Sequence, residues 1–306
     1  MKNENRKDTV ARARAELEAS GLSQSAAARE IGISDSALSQ WLAGKYEGDS
    51  AAVESRVGIW LRSRTRRKDF GRVMPDPPAW VETPTALRII AGLGYAQLAG
   101  DVAVVIGGAG CGKTVAARRY AARQPSVWVA AATSGTKALG PCLRALAKAC
   151  GLKPGRRTLA GLEEAIAGRV RSTGGLLVVD EAQHLSLRAL DSVRGIHDAT
   201  GVGVALLGGW PLYSRMAGRW SEELAQLHSR VGRLVKLGRP TARDVDALLG
   251  GWRLDAARLR RTAVEIASSP GGLRALTKAL RNAHMLSGGR KPTVENVREA
   301  WEEMGG

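Results

Sequence analysis

Apolar positions divide the chain into three zones with different periods. Up to about residue 63 they recur at helical spacing in short stretches rich in Ala and Ser. From Val81 onward, short and mostly unbroken apolar runs alternate with helix-length segments. The runs cover residues 102–106, 127–131, 176–179, 202–207 and 234–237. Unbroken runs predict strands buried on both faces, as in a parallel sheet covered by helices. After Thr241 the strand signal stops. Helical periods return over residues 241–249, 255–267, 272–284 and 293–303, which predicts a small all-α tail.

Between the first two zones lie Arg62, Arg64, Arg66, Arg67, Lys68 and Arg72, followed by Pro75, Pro77 and Pro78. Proline lacks a backbone donor and disfavours helix at the residue before it, so this stretch is expected to be a basic, extended linker. The expected division is 1–63, a linker over 64–80, an α/β core over 81–239 and a helical domain over 240–306. A chain of 306 residues accommodates about two domains.

Charge narrows the function classes. Lys and Arg number 46 against 29 Asp and Glu, a formal +17. Such a field attracts polyanions and makes nucleic acid the first partner to consider, with a merely solubilising surface as the competing reading. Aromatic residues are scarce, and Phe70 is the only phenylalanine, so aliphatic side chains and Ala must fill the core. The three cysteines, Cys111, Cys142 and Cys150, are odd in number and lack metal spacing. No apolar leader opens the chain, and the most apolar stretch, residues 88–110, is interrupted by Gly, Gln97 and Asp101. These features predict a cytoplasmic protein without disulfides or a membrane partner.

The most specific motif follows the first predicted strand. Residues 107–114 read Gly-Gly-Ala-Gly-Cys-Gly-Lys-Thr, a G-x-x-x-x-G-K-T phosphate loop between a strand and a helix. Gly107, Gly108, Gly110 and Gly112 let backbone N–H groups converge on a phosphate, with Ala109 and Cys111 completing the loop. The helix beginning near Lys113 points its positive end at the same place. Lys113 would reach the β- and γ-phosphates of ATP, and Thr114 would hold Mg²⁺. Cys111 is a small side chain inside the loop; a reactive thiol is the alternative.

The strand at 176–179 ends in Asp180 and Glu181. Asp180 would orient Mg²⁺ through water, and Glu181 would polarise the attacking water. His184 is open between a γ-phosphate contact and a surface histidine. GTP is disfavoured, because no N-K-x-D base-reading motif occurs. Phosphoryl transfer often uses an added arginine. Arg230, just before the last strand, could face a neighbouring subunit, with Arg233 competing for that role. Arg274, at the start of a tail helix, could fold over a nucleotide.

Residues 22–46 fit a helix-turn-helix. Ala28 is small where two helices cross, Gly32 sits at the turn, and Ile31, Ile33, Leu38 and Trp41 supply the buried face. Ser34 can cap the second helix, with Asp35 in its first turn. Ser36, Ser39, Gln40 and Lys45 would then face a DNA groove. None is an Arg placed for bidentate guanine contact, so phosphate contact with weak sequence preference is expected. Arg64, Arg66, Arg67 and Lys68 would add to it. A protein-docking three-helix module and a solvated linker are the bland alternatives.

In this order, a helix-turn-helix, a basic proline-rich linker, a phosphate-loop core and a helical lid resemble the phage Mu B transposition proteins. These are AAA+ ATPases that select target DNA and activate a transposase. The resemblance spans nearly the whole chain, including Pro77-Pro-Ala-Trp-Val-Glu-Thr83, residues 107–114 and 180–184, Tyr213-Ser214 and Gly272-Leu273-Arg274. It implies binding to double-stranded DNA with little specificity, ATP-dependent helical filaments, and a partner transposase that is stimulated and in turn stimulates hydrolysis. Lys113, Thr114, Asp180, Glu181, Arg230 and Arg274 match the family's positions. One departure stands out. Where such ATPases carry a polar sensor, commonly Asn, this chain reads Leu207-Gly-Gly-Trp210. Rival readings are a secretion-type ATPase sharing the Asp-Glu-Ala-Gln-His-Leu string, a helicase loader, and a non-catalytic DNA-binding regulator.

Overall fold

The computed structural model describes residues 2–217 and 226–306. The chain divides into a unit of Met1–Asp76 with Gly288–Arg290, and a unit of Pro77–Ser287 with Lys291–Gly306.

The first unit is helical: α1 (Lys2–Ser20), α2 (Gln24–Ile31), α3 (Asp35–Leu42) and α4 (Ser50–Val73). Ala27, Ala28, Leu38, Trp41, Val57 and Trp60 form its core. The turn between α2 and α3 is held by Gly32, whose φ of 79° suits a residue without a Cβ. Ser34 caps α3 by accepting from the Ala37 N–H.

The expectation of an extended basic linker is corrected here. Residues 62–73 continue α4 without a break, and Met74, immediately before Pro75, ends it. Arg and Lys are good helix formers, and a proline restricts only its immediate predecessor, so the basic run itself carries no signal to stop. The helix also gives that run a partner. Arg64 and Lys68, four apart, both face α1, where Glu16 accepts from Arg64 Nε at 2.9 Å and Lys68 Nζ at 2.6 Å.

The second unit is built on a parallel five-stranded sheet in the order β2-β3-β4-β1-β5. Its strands are β1 (Val102–Ile106), β2 (Val127–Ala131), β3 (Leu176–Asp180), β4 (Gly203–Gly208) and β5 (Val231–Lys236). Around it lie α5 (Pro84–Ala99), α6 (Lys113–Ala121), α7 (Leu139–Ala149), α8 (Leu159–Val170), α9 (Leu187–Thr200) and α10 (Trp210–Ala217). Alternate residues of β1 serve opposite faces. Val102, Val104 and Ile106 pack with Leu143, Leu146 and Ile166 beneath α7 and α8, while Ala103 and Val105 pack with Ile89 and Leu93 of α5.

The central strands β1, β3 and β4 are buried throughout. Burial on both faces was also expected of the runs 127–131 and 234–237, and this is corrected: β2 is an edge strand in which only Trp128 and Ala130 are buried. β5 is an edge strand, in which Val235 is buried while Leu234 remains 43% exposed.

A helical lid follows: α11 (Ala242–Gly251), α12 (Ala256–Ser268), α13 (Gly272–Leu286) and α14 (Val294–Glu302). Its own core joins Val245, Leu249, Leu276, Leu280 and Val297. All three cysteines are free and buried. Burial pushes the Cys142 and Cys150 thiols up to about 11. Among the described residues no helix is long and apolar enough to cross a membrane.

Candidate functional site

The sheet topology places β4 between β1 and β3, so the phosphate loop after β1 and the carboxylates after β3 flank one strand end. Lys113 opens α6 and is buried; its Nζ donates to the Gly107 and Gly108 carbonyls at 2.7 and 2.9 Å. The Thr114 hydroxyl, on the same helical turn, donates to Asp180 Oδ2 at 2.6 Å. That bond joins two segments 66 residues apart in sequence.

Glu181 follows Asp180 in a left-handed backbone conformation, φ 55°. A carboxylate-bearing residue held there stores strain, which accumulates at sites where side-chain direction matters. His184 is exposed on the turn beyond.

A cavity of about 290 Å³ extends from the loop. Residues 109–115 and Glu181 line it, and Arg274 and Thr277 of α13 approach from the lid. Gly110 makes the closeness possible, since a Cβ there would overlap the Gly271 carbonyl oxygen. The lining also includes an apolar set, Pro77, Pro78, Trp80, Val81, Leu248 and Leu273.

This apolar lining is not read from the sequence, where residues 77–80 fall in the expected linker. The available signal was an uncharged stretch, residues 77–80, that ends in a tryptophan. Trp80 also lies beneath the Arg119 guanidinium, 5.6 Å from its ring centroid.

The donor set fits Mg²⁺ with a nucleotide. Thr114 and Asp180 offer one hydroxyl and one carboxylate, hard oxygens suited to a cation that keeps water and phosphate oxygens as its other ligands. Among the described residues no group of three or more His, Cys, Asp or Glu side chains could hold a metal by itself.

Asp244 ties lid to core. Its fully buried carboxylate accepts from the Thr85 N–H and hydroxyl at 2.8 and 2.9 Å, and from those of Thr241 at 2.7 Å each. Burial alone would raise its pKa, but these hydrogen bonds outweigh it and hold the carboxyl below its ordinary value of 3.8. A lowered folded value means the stabilisation is complete above the unfolded pKa and fades as pH falls through the folded one. Asp244→Asn should therefore cost about 1–3 kcal/mol at neutral pH, the range for donors left without their acceptor. Urea unfolding from pH 7 down to 3 should show the gap to wild type narrowing below about pH 4. A gap independent of pH would mean the charge is not its source.

The candidate arginines separate. Arg274 lines the cavity, whereas Arg230 stands before the N-terminal end of β5, at the edge of the sheet remote from the phosphate loop. Arg230 Nε pairs with Asp198 at 2.9 Å, and that pairing leads the effects that lower the Asp198 pKa. Arg233 lies over the Tyr95 ring, 5.6 Å from its centroid.

In the first unit Ser36, Ser39, Gln40 and Lys45 are exposed, with Leu38, Trp41 and Leu42 buried on the opposite side of α3. Arg66 and Arg67 are exposed, whereas Arg64 is only 16% exposed and also reaches Glu30 at 3.5 Å. Of the four basic candidates, then, Arg64 and Lys68 already have carboxylate partners.

Comparison with known proteins covers most of the chain. Residues 14–47 match a helix-turn-helix family, 98–216 an AAA domain, and 229–304 the family described as Mu B transposition protein, C terminal. The ATP-dependent target DNA activator B of Escherichia phage Mu is 32% identical over 90% of this chain and 88% of its own length. The Mu-like prophage FluMu DNA transposition protein B of Haemophilus influenzae is 33% identical over 87% of this chain and 93% of its own.

Among solved structures, the ORC2 protein of Aeropyrum pernix superposes with a TM-score of 0.53 at 18% identity, covering 76% of this chain and 71% of that one. CDC6P of Pyrobaculum aerophilum gives 0.55 at 16%, covering 76% and 70%. The matched domains and the parallel sheet establish the fold class: an AAA+ core with a helical lid, and an N-terminal helix-turn-helix.

Proposed function

The chain belongs to the Mu B transposition protein family, and from that premise we propose that it is an ATPase that assembles as filaments on target DNA, selects the target and activates a partner transposase. The observation that carries the ATPase reading is the Thr114–Asp180 hydrogen bond, which brings the phosphate loop and the acidic strand end into one cleft with Glu181 on its wall. The relatives' names, ATP-dependent target DNA activator and DNA transposition protein, support the part that concerns target DNA and transposition.

In this reading the apolar side chains of the lining take the adenine ring. Lys113 exchanges two neutral carbonyl acceptors for phosphate oxygens, and Arg274 closes from the lid. Thr114 and Asp180 would hold Mg²⁺, which when bound neutralises charge on the β- and γ-phosphates. Glu181 orients the attacking water and takes its proton.

Lys113→Ala removes a charge-assisted hydrogen bond of about 1.5–3 kcal/mol, so affinity for a fluorescent ATP analogue should fall about 10- to 10²-fold. Electron microscopy with DNA and a slowly hydrolysed ATP analogue should show filaments for wild type and none for this variant. Particles that remain single under both conditions would favour a regulator over a target selector.

The DNA-binding surface is proposed to combine the exposed face of α3 with Arg66 and Arg67. Replacing both arginines by Ala should weaken binding about equally on all sequences and reduce the log–log salt slope by about 0.9 for each phosphate no longer neutralised. An unchanged slope would move the DNA path off α4.

A further inference from the structure

The end of β4 lies where a polar side chain is expected beside the γ-phosphate, and Gly208 and Gly209 supply none. Gln183 enters that place from the turn after β3. The Gly209 N–H donates to Gln183 Oε1 at 3.0 Å. A backbone N–H can only donate, which identifies this atom as the amide oxygen. The amide nitrogen therefore faces Glu181 and donates to its Oε2.

Two neighbours hold this arrangement. Arg215 of α10 donates to the carbonyls of Gln183 and Leu185 at 3.1 and 2.8 Å, which fixes the turn. Gly208 leaves the room: a Cβ there would stand 2.8 Å from Gln183 Oε1 and 2.9 Å from Leu212 Cδ2. Any larger residue at 208 would press on the amide oxygen of Gln183. One side chain thus spans the interval between the end of β4 and the carboxylate that faces the cavity.

We infer that Gln183 is a positioning residue for hydrolysis, fixing the Glu181 carboxylate against the end of β4. The inference rests on the reading of Glu181 as the water-orienting base. Gln183 acts through Glu181 alone, so its removal lowers turnover and leaves nucleotide binding intact. A misplaced reacting group can cost about 10²-fold in rate, and a loss of that order is expected.

The test compares steady-state turnover and binding of a fluorescent ATP analogue in wild type, Gln183→Ala, Gly208→Ala, Glu181→Gln and the Glu181→Gln/Gln183→Ala double variant. Gln183→Ala should lose about 10²-fold in kcat while binding the analogue within about twofold of wild type. Gly208→Ala, which carries no new functional group, should lose turnover in the same way. The double variant should be no slower than Glu181→Gln alone, a non-additivity that a merely structural role would not produce.

Wild-type turnover in Gln183→Ala, or losses that multiply in the double variant, overturns the inference. Loss of analogue binding in both Gln183→Ala and Gly208→Ala also overturns it, since the amide would then shape the pocket instead of the carboxylate. Full activity in Glu181→Gln is a separate result, because it removes the reading of Glu181 itself.

Discussion

Arg230→Ala should bind ATP nearly as wild type does and hydrolyse it about 10³–10⁵-fold more slowly, the contribution of an arginine finger in nucleotide hydrolases. The geometry excludes action within one subunit. Arg230 precedes a six-residue strand whose far end adjoins the phosphate loop, and six residues span about 20 Å. If it reaches a γ-phosphate, that phosphate belongs to a neighbour. Its present partner does not oppose such a role. The Arg230 side chain is 49% exposed, and exposed ion pairs such as the one with Asp198 contribute little stability.

Turnover per protein should then climb with concentration and with DNA that gathers subunits. Mixing is the decisive measurement. Arg230→Ala keeps an intact pocket, and Lys113→Ala, which forms no filament alone, keeps an intact finger, so filaments of Arg230→Ala that take up Lys113→Ala should contain some complete sites. Activity above the sum of the two parts is the expected result. If co-assembly is demonstrated and no recovery appears, the trans role of Arg230 is wrong. Arg233 would be tried next, at the cost of its stacking on Tyr95.

Glu181→Gln should lower turnover by about 10²–10⁴-fold while ATP and DNA binding persist. The amide keeps the shape of the carboxylate and loses the group that accepts a proton from water. The neighbouring hydrogen bonds separate this variant from a folding defect. Asp180 still accepts from the Thr114 hydroxyl and the Glu181 N–H, so the loop and strand end stay joined. Turnover should be followed with saturating ATP, so that a change in affinity does not enter. Wild-type turnover would transfer the role to another group, and His184, exposed three residues on, would be examined first.

Sequence alone determined what depends on short-range pattern. The unbroken apolar runs located the buried strands β1, β3 and β4, because a strand covered on both faces has no polar positions to interrupt it. The helices of the lid could be read from their period, and Gly32 and Ser34 marked the helix-turn-helix through backbone sterics and capping that involve only adjacent residues. The phosphate loop was legible for the same reason: its glycines, Lys113 and Thr114 are contiguous.

Tertiary structure decided whatever joins distant segments. Arg233 and Lys236 mark β5 as unlike the buried strands β1 and β4, but which strands stand at the two edges, β2 and β5, is settled only once the strands are ordered in a sheet. The basic run at 62–73 looked like a linker until Glu16 supplied a partner across α1 and α4. The apolar lining of the cavity needs both Trp80 and Leu273, and the Glu181 carboxylate is held through Gln183 to Gly209. Pairings between residues far apart in sequence leave no periodic trace along it, because each partner is chosen by the space that the folded chain leaves.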